Sequence, residues 1–278
     1  MIRIKNKLDI HHFNGTIYTD LSDDLISYDR DSVTVTIDAI DDKFYIGFYK
    51  PINVFYAEIG TVNTNVSAIS LKYYNGTVFT ELDNLFDDTK GLSRSGFITW
   101  DRNQVNEAKT TINSLERYWY ELTVDVATSA VVIKGLNIVF SDDLDIKREI
   151  FEIDNYLPSG EASHILAHVA ARDEIIQSLR RDGRHKQSLS SGNLKDITAF
   201  DLLDISQVKL ASTHLTLSKI FLAASDEPDD TYMQKHHKYK KLYSDAMDTF
   251  YLDVDEDDDG IQDTEEILAQ NSVQMVRR

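Results

Sequence analysis

The sequence predicts an α+β protein: an N-terminal antiparallel β-sandwich or barrel, then a C-terminal helical bundle or hairpin, then an acidic loop. Three observations carry this. Apolar residues alternate with polar ones before residue 153, recur at helical spacing after it, and give way to a run of carboxylates from Asp253 to Glu266. Alternation is the mark of a half-buried strand, and recurrence every three or four residues that of a helix packed on one face. The organisation read from this is a β-rich domain over 1–153, a helical domain over 154–252, and an acidic segment with a loose tail over 253–278.

The strands follow in order. Ser32–Asp38 alternates apolar and polar residues, Phe44–Tyr49 is aromatic-rich before Pro51, and Val54–Ile59 and Ala68–Tyr74 continue the texture. Asn75-Gly76 between Tyr74 and Val78 signals a hairpin, of a turn type with positive φ at both central residues. Gly96–Trp100, Tyr118–Val124 and Ala130–Lys134 complete the set, and Asn103–Leu115 is expected to hold a short helix. Short strands separated by polar turns belong to sandwiches and barrels.

The helices come next. Ser163 caps a helix with Ile165, Val169, Ile176 and Leu179 on one face and Arg172 in the gap, ending at Gly183. Asp196 caps a second, striped by Phe200, Leu203, Leu210, Leu217, Phe221 and Ala224. Pro228 breaks the chain within an acidic stretch, and a third helix starts near Asp230 with Tyr232, His236, Tyr239, Tyr243, Ala246 and Phe250 on its stripe. Helices joined by short loops pack antiparallel.

Composition excludes whole classes of chemistry. There are 278 residues, 47 acidic against 29 basic, a net charge of −18, and no cysteine. Disulfide frameworks, thiolate metal sites and cysteine nucleophiles are out. So acidic a chain is repelled by duplex DNA and is not a general nucleic-acid binder. No apolar run approaches the roughly 20 residues of a membrane helix. The N-terminus leads into polar sequence, so cytoplasmic synthesis is expected, and the Asn-X-Thr/Ser tripeptides at Asn14, Asn65 and Asn75 read as turn chemistry. No nucleophile elbow, phosphate loop or dinucleotide fingerprint is present. The expectation is a protein without catalysis, a hydrolase being a distant alternative.

The acidic segment is the one place where spacing suggests chemistry. Asp255, Asp257 and Asp259 occupy positions one, three and five of a twelve-residue calcium loop, Gly260 position six, Asp263 position nine and Glu266 position twelve. The residues from Asp253 to Glu266 include nine carboxylates and no basic group, a repulsion that a hard cation offsets. Ile261 precedes Gln262, so the apolar residue comes one place before its EF-hand position, and in this the loop resembles those of the thrombospondin type 3 kind. The expected cofactor is Ca2+, held by Asp255, Asp257, Asp259, Asp263 and Glu266 and stapling the chain end; the bland alternative is a solvated acidic tail.

Two basic stretches stand out against the acidic background. Arg180-Arg181-Asp-Gly-Arg184-His-Lys186 is a compact loop for a phosphate or an acidic neighbour, making Arg180, Arg181, Arg184 and Lys186 candidate partner contacts; a helix C-terminus favoured by its dipole is the plainer alternative. His236 and His237 with Lys235, Lys238, Lys240 and Lys241 give the third helix a basic face, suited to an acidic partner helix or to solvent. His164 and His168 lie one helical turn apart, but Ile165 stands where a metalloprotease has glutamate, so they read as core or surface histidines.

Residues 160–266 resemble the helical module of tailed-bacteriophage head-to-tail connector (adaptor) proteins. The likeness rests on Asp196-Ile-Thr-Ala-Phe-Asp-Leu-Leu, on Lys209-Leu-Ala-Ser-Thr-His-Leu-Thr-Leu-Ser-Lys-Ile-Phe, and on Tyr232, Lys235, Tyr239, Lys240 and Tyr243 before the aspartate-rich loop. Tyr45–Asn53, Lys72–Phe79, Asp88-Thr89 and Ser95–Trp100 are similar in texture to a β-domain of phage virion proteins, although a β-domain this large departs from the minimal adaptor. The resemblance implies a structural virion protein in the neck, made in the host bacterial cytoplasm. It implies a homo-oligomeric ring, commonly of twelve copies, docked on the portal protein and on other neck and tail proteins. Genomic DNA would pass through without sequence-specific binding, and no membrane is involved. A second expectation is a calcium-stapled tail or baseplate module whose β-sandwich binds carbohydrate or receptor, with Trp100, Trp119, Tyr118 and Tyr120 as candidate sugar platforms. Strand alternation puts Tyr118 and Tyr120 on one face and Trp119 on the other, so that at most one set faces the core.

Overall fold

The computed structural model describes residues 8–26, 33–37, 41–101, 106–181, 185–187, 194–202, 204–228 and 230–249; the side chains of 185–187, 194–196 and 249 lie outside that description. The chain divides into two compact units, Met1–Ile138 and Val139–Arg278. The change of texture near residue 153 therefore falls inside the second unit.

The first unit is built of β1 (Asp9–Asn14), β2 (Tyr18–Asp20), a one-turn helix α1 (Ser22–Leu25), β3 (Val33–Val35), β4 (Asp42–Phe48), β5 (Val54–Thr61), β6 (Ile69–Tyr74), β7 (Phe79–Glu81), β8 (Phe86–Asp87), β9 (Gly96–Thr99), β10 (Lys109–Ile112), β11 (Leu115–Val124) and β12 (Val131–Asn137). Two antiparallel sheets result. One runs β2-β1-β4-β11-β6-β7 with β10 also paired to β11, and the other runs β3-β12-β5-β9-β8. Both end in edge strands, so neither closes into a barrel, and that alternative is corrected.

Register explains the core. Phe44 and Ile46 on β4 are the cross-strand partners of Leu122 and Tyr120 on β11, all buried on one face, and buried Phe48 pairs there with half-buried Tyr118. From that face Tyr120 reaches the other sheet. Its ring lies 4.9 Å from that of Trp100, and its hydroxyl donates to the Ile52 carbonyl and accepts from the Ile52 N–H, each at 2.9 Å. The opposite face is also covered: Tyr45, Ile112 and Trp119 form a second cluster with Phe13, Phe79 and Leu115. Gly47 pairs with Trp119, whose ring lies across it; a Cβ at Gly47 would stand 2.5 Å from the ring.

Two local expectations are corrected. The hairpin at Asn75-Gly76 forms, joining β6 to β7, but only Gly76 (φ +92°) has positive φ. Asn75 opens the turn, its side-chain oxygen accepting from the N–H groups of Thr77 and Val78. The helix expected in Asn103–Leu115 gives way, within the described residues, to the β10–β11 hairpin. There Asn113 (φ +46°) and Ser114 (φ +68°) supply the two positive φ angles of a type I′ turn, and Lys109-Thr-Thr-Ile112 has β-branched residues at three of four positions.

The second unit contains α2 (Asp143–Glu149), a 3-10 turn at Ile153–Tyr156, α3 (Ile165–Arg181), a two-stranded hairpin of β13 (His185–Gln187) and β14 (Leu194–Asp196), a 3-10 turn at Ala199–Asp201, α4 (Ser206–Ala223) and α5 (Thr231–Thr249). Asp196 lies in β14 and does not cap the long helix. The chain first makes a separate turn, where Asp201 accepts from the Thr198 N–H at 2.6 Å, and α4 starts later, after Asp204 has accepted from the Ser206 N–H at 2.8 Å. Leu210, expected on the buried stripe, is 56% exposed. Residues 211–218 of α4 are covered on all sides, which also buries Ser212, Thr213, Thr216 and Ser218. Helices α4 and α5 run antiparallel: Phe221 meets Tyr232 and Tyr239, Ser218 meets His236, and His214 meets Tyr239.

Candidate partner-contact sites of the helical unit

Arg180 closes α3, half-buried, with its Nε donating to the Ile197 carbonyl at 2.8 Å. It ties the helix end to the segment before α4, which leaves less of its guanidinium for a partner. Arg181 is exposed and donates from Nη2 to Ser178 Oγ at 2.9 Å. Arg184 lies outside the described residues. Lys186 sits on β13 opposite Lys195 of β14, so the stretch read as a loop has a short β-ladder on its far side, with two lysine positions at one register. The ladder thus adds Lys195, which lies outside the loop motif, beside the position of Lys186.

The metal-ligand candidates Asp255, Asp257, Asp259, Asp263 and Glu266 all lie outside the described residues. Among the described residues, no group of three or more histidine, cysteine, aspartate or glutamate side chains is placed to hold a metal ion.

His164 and His168 are both core residues, at 4% and 1% exposure. His164 donates from Nε2 to the Ile153 carbonyl at 3.2 Å, and its backbone N–H donates to Asp143. Burial pushes the His164 pKa below its ordinary value, against the pull of the Asp143 carboxylate. His168 Nε2 lies 3.2 Å from Asp143 Oδ1, its Nδ1 2.9 Å from Ser141 Oγ, and Ser141 Oγ 2.8 Å from Ser212 Oγ. The carboxylate only accepts, so Nε2 carries a proton. The Ser141 hydroxyl is shared between Nδ1 and Ser212 Oγ. Although burial favours the protonated acid, the hydrogen bond and charge of His168 prevail and hold Asp143 below the usual carboxylate range.

An aspartate, a histidine and a serine in line have the composition of a catalytic triad. Here Ser141 has no exposed surface, and its hydroxyl is shared between His168 and Ser212. A nucleophile sealed in this way has no route to a substrate, and the group works as a polar lock joining the start of α2, α3 and α4. Beside it, Asp142 and Asp145 form a capping box on α2, and Lys209 of α4 reaches Asp145 at 2.9 Å. Burial and the neighbouring Asp145 carboxylate push the Asp142 pKa up. Sequence reasoning finds the two histidines but not the lock, because Ser141, Asp143 and Ser212 carry no spacing signal that links them.

Two turns further along α4, Glu174 of α3 accepts from Lys219 of α4 at 2.6 Å and from Lys240 of α5. One carboxylate thus staples three helices. Its partial burial acts to raise the pKa, but the two lysines overcome this and depress it. Lys235 of α5 lies over the rings of Phe221, Tyr232 and Tyr156, with Nζ at 4.9, 5.8 and 5.9 Å from their centroids. The basic run on α5 is therefore divided: Lys235 and Lys240 fasten the helix, whereas Lys238, its Nζ 5.0 Å from the Tyr239 ring centroid, and Lys241 are exposed.

Compared with known proteins, the chain matches no family model, and no curated protein matches it in sequence. Among the described residues, no helix is long and apolar enough to cross a membrane.

The candidate sugar platforms are placed in the core. Trp100, Trp119 and Tyr120 are 4%, 1% and 0% exposed, which leaves no flat ring for a pyranose. Tyr118 is half-buried, with Lys109 Nζ 5.3 Å from its centroid. Alternation correctly separates Trp119 from Tyr120, yet both are buried because both faces of that sheet are covered.

Proposed function

We propose that this chain is a structural virion protein of a tailed bacteriophage, an oligomeric ring adaptor that joins portal to tail at the neck and lines the DNA channel. The observation that carries the reading is the antiparallel pair α4–α5. The segments that resemble connector proteins, Lys209–Phe221 and Tyr232–Tyr243, fall on these two helices and supply the residues that pack them together. On this reading the pair is a helical hairpin of a small bundle and the two antiparallel sheets of the first unit form a sandwich, which the antiparallel pairing supports.

Three further points support the reading. The buried Ser141 and His168 argue against a hydrolase built on them, and the buried tryptophans argue against the rival glycan-binding module. A net charge of −18 suits a lumen through which DNA slides without sticking. In this role the protein works by shape, symmetry and burial of surface between subunits, with no chemistry of its own. The ring holds about twelve copies by the resemblance, and Ca2+ on the Asp255–Glu266 loop staples the end of each chain.

Negative-stain microscopy of the purified chain, alone and mixed with the portal protein of the same phage, tests this. Closed rings in either sample are the expected result. Monomers in both overturn the adaptor reading.

A further inference from the structure

The outward face of α5 is formed by Gln234, His237, Lys238, Lys241, Ser244, Asp245 and Asp248, all exposed or half-exposed. Its charge is divided along the helix, with Lys238 and Lys241 in the middle and Asp245 and Asp248 toward the C-terminal end. The other two lysines of the helical run are committed inward, Lys240 to Glu174 and Lys235 to three aromatic rings. Lys238 and Lys241 are both exposed, Lys238 with its Nζ 5.0 Å from the centroid of the Tyr239 ring, and together they form a small positive face on a chain whose net charge is −18.

Two copies of so acidic a chain repel each other unless patches of opposite sign meet. The densest negative patch in the sequence is Asp253–Glu266, with nine carboxylates and no basic residue. We propose that the Lys238–Lys241 face of α5 docks the acidic segment Asp253–Glu266 of a second copy of this chain.

The second copy is favoured over the chain's own segment by the order of charges. The segment follows α5 directly, so folding back along this face it meets Asp248 and Asp245 before it reaches Lys241. A neighbour's segment can approach Lys238 and Lys241 from the other end and avoid that repulsion. Repeated head to tail, a basic face on one copy and an acidic segment on the next give a heterologous contact, the kind that closes into rings. The inference rests on the reading that the chain self-associates, and not on where the assembly sits in a particle.

Sedimentation equilibrium of the full-length chain in EDTA tests the contact, since EDTA keeps cations from competing for the carboxylates. The variants are Lys238→Glu/Lys241→Glu, Asp257→Lys/Asp259→Lys, and the two combined, each checked for an unchanged circular dichroism spectrum and melting point. Each pair alone is expected to weaken association roughly tenfold or more, and the combination to restore it. Raising salt from about 0.1 M to about 1 M, where screening shortens from about 10 Å to about 3 Å, is expected to weaken the wild-type assembly. Association unchanged in both single pairs, or no rescue in the combination, overturns this contact and leaves the ring reading standing. A wild-type chain that stays monomeric at every concentration overturns this contact, and the ring reading then stands or falls on the mixture with portal.

Discussion

Residue-level design is clearest where a side chain has no room to change. Trp119 lies across Gly47 on the outer face of the larger sheet, and a Cβ there would stand 2.5 Å from the ring. Gly47→Ala is therefore expected to destabilise the first unit by about 1–3 kcal/mol, the usual cost of overpacking a filled core, read as a lower denaturant midpoint at unchanged slope. His168 gives a comparable case in the second unit. His168→Leu leaves Ser141 buried without its ring-nitrogen partner, and strips a partner from Asp143. The expected loss is about 2–3 kcal/mol in thermal or chemical unfolding. His164 adds a pH dependence. Its pKa is lowered by burial in the folded chain, so the unfolded chain binds the proton more readily. Stability from this group is intact above its ordinary pKa of about 6.5 and declines as pH falls through that value. Melting curves of wild type and His164→Gln between pH 8 and pH 5 should diverge, with the acid-side decline smaller in the variant.

Element by element, helix α5 shows most plainly how charge is used. Glu174 holds Lys219 and Lys240 together, and its depressed pKa means the staple is present above the usual glutamate range and is lost only as pH falls below it. Glu174→Gln should loosen α5 at neutral pH, read as faster amide exchange along 231–249, and should make little difference once the wild-type carboxylate is protonated. The stripe of α5 from Tyr232 to Tyr243 is legible in the sequence because one face of that helix is buried. The stripe of α4 is legible only in part. That helix is covered on several sides, so serine and threonine share its buried surface and Leu210 is left outside. Of the strands of the first unit, β3–β6, β9, β11 and β12 are anticipated in the sequence, whereas β1, β2 and β8 are not, and β10 is read as helix: its four residues are too few to show a period, and the turn residues Asn113 and Ser114 lack the glycine that marks such turns in sequence. The lock around His168 is illegible for another reason, since it joins residues as far apart as Ser141 and Ser212. Among the partner-contact residues, nothing in the loop motif signals that Arg180 is partly spent on the Ile197 carbonyl.

For the whole molecule, a β-rich unit and a helical unit occur in one acidic chain with a carboxylate-rich segment near its end. The calcium reading of that segment predicts an exothermic or endothermic binding isotherm on titration with Ca2+, lost or much weakened in Asp255→Ala and Glu266→Ala. Heat unchanged by both substitutions removes the loop from consideration without touching the adaptor reading. The central claim concerns place and symmetry, and it is tested most directly on the assembled particle. Immunogold labelling of this protein on phage particles from its source lysate, viewed by electron microscopy, should put gold at the junction of head and tail. Gold at the distal tail, or particles without label, would contradict it.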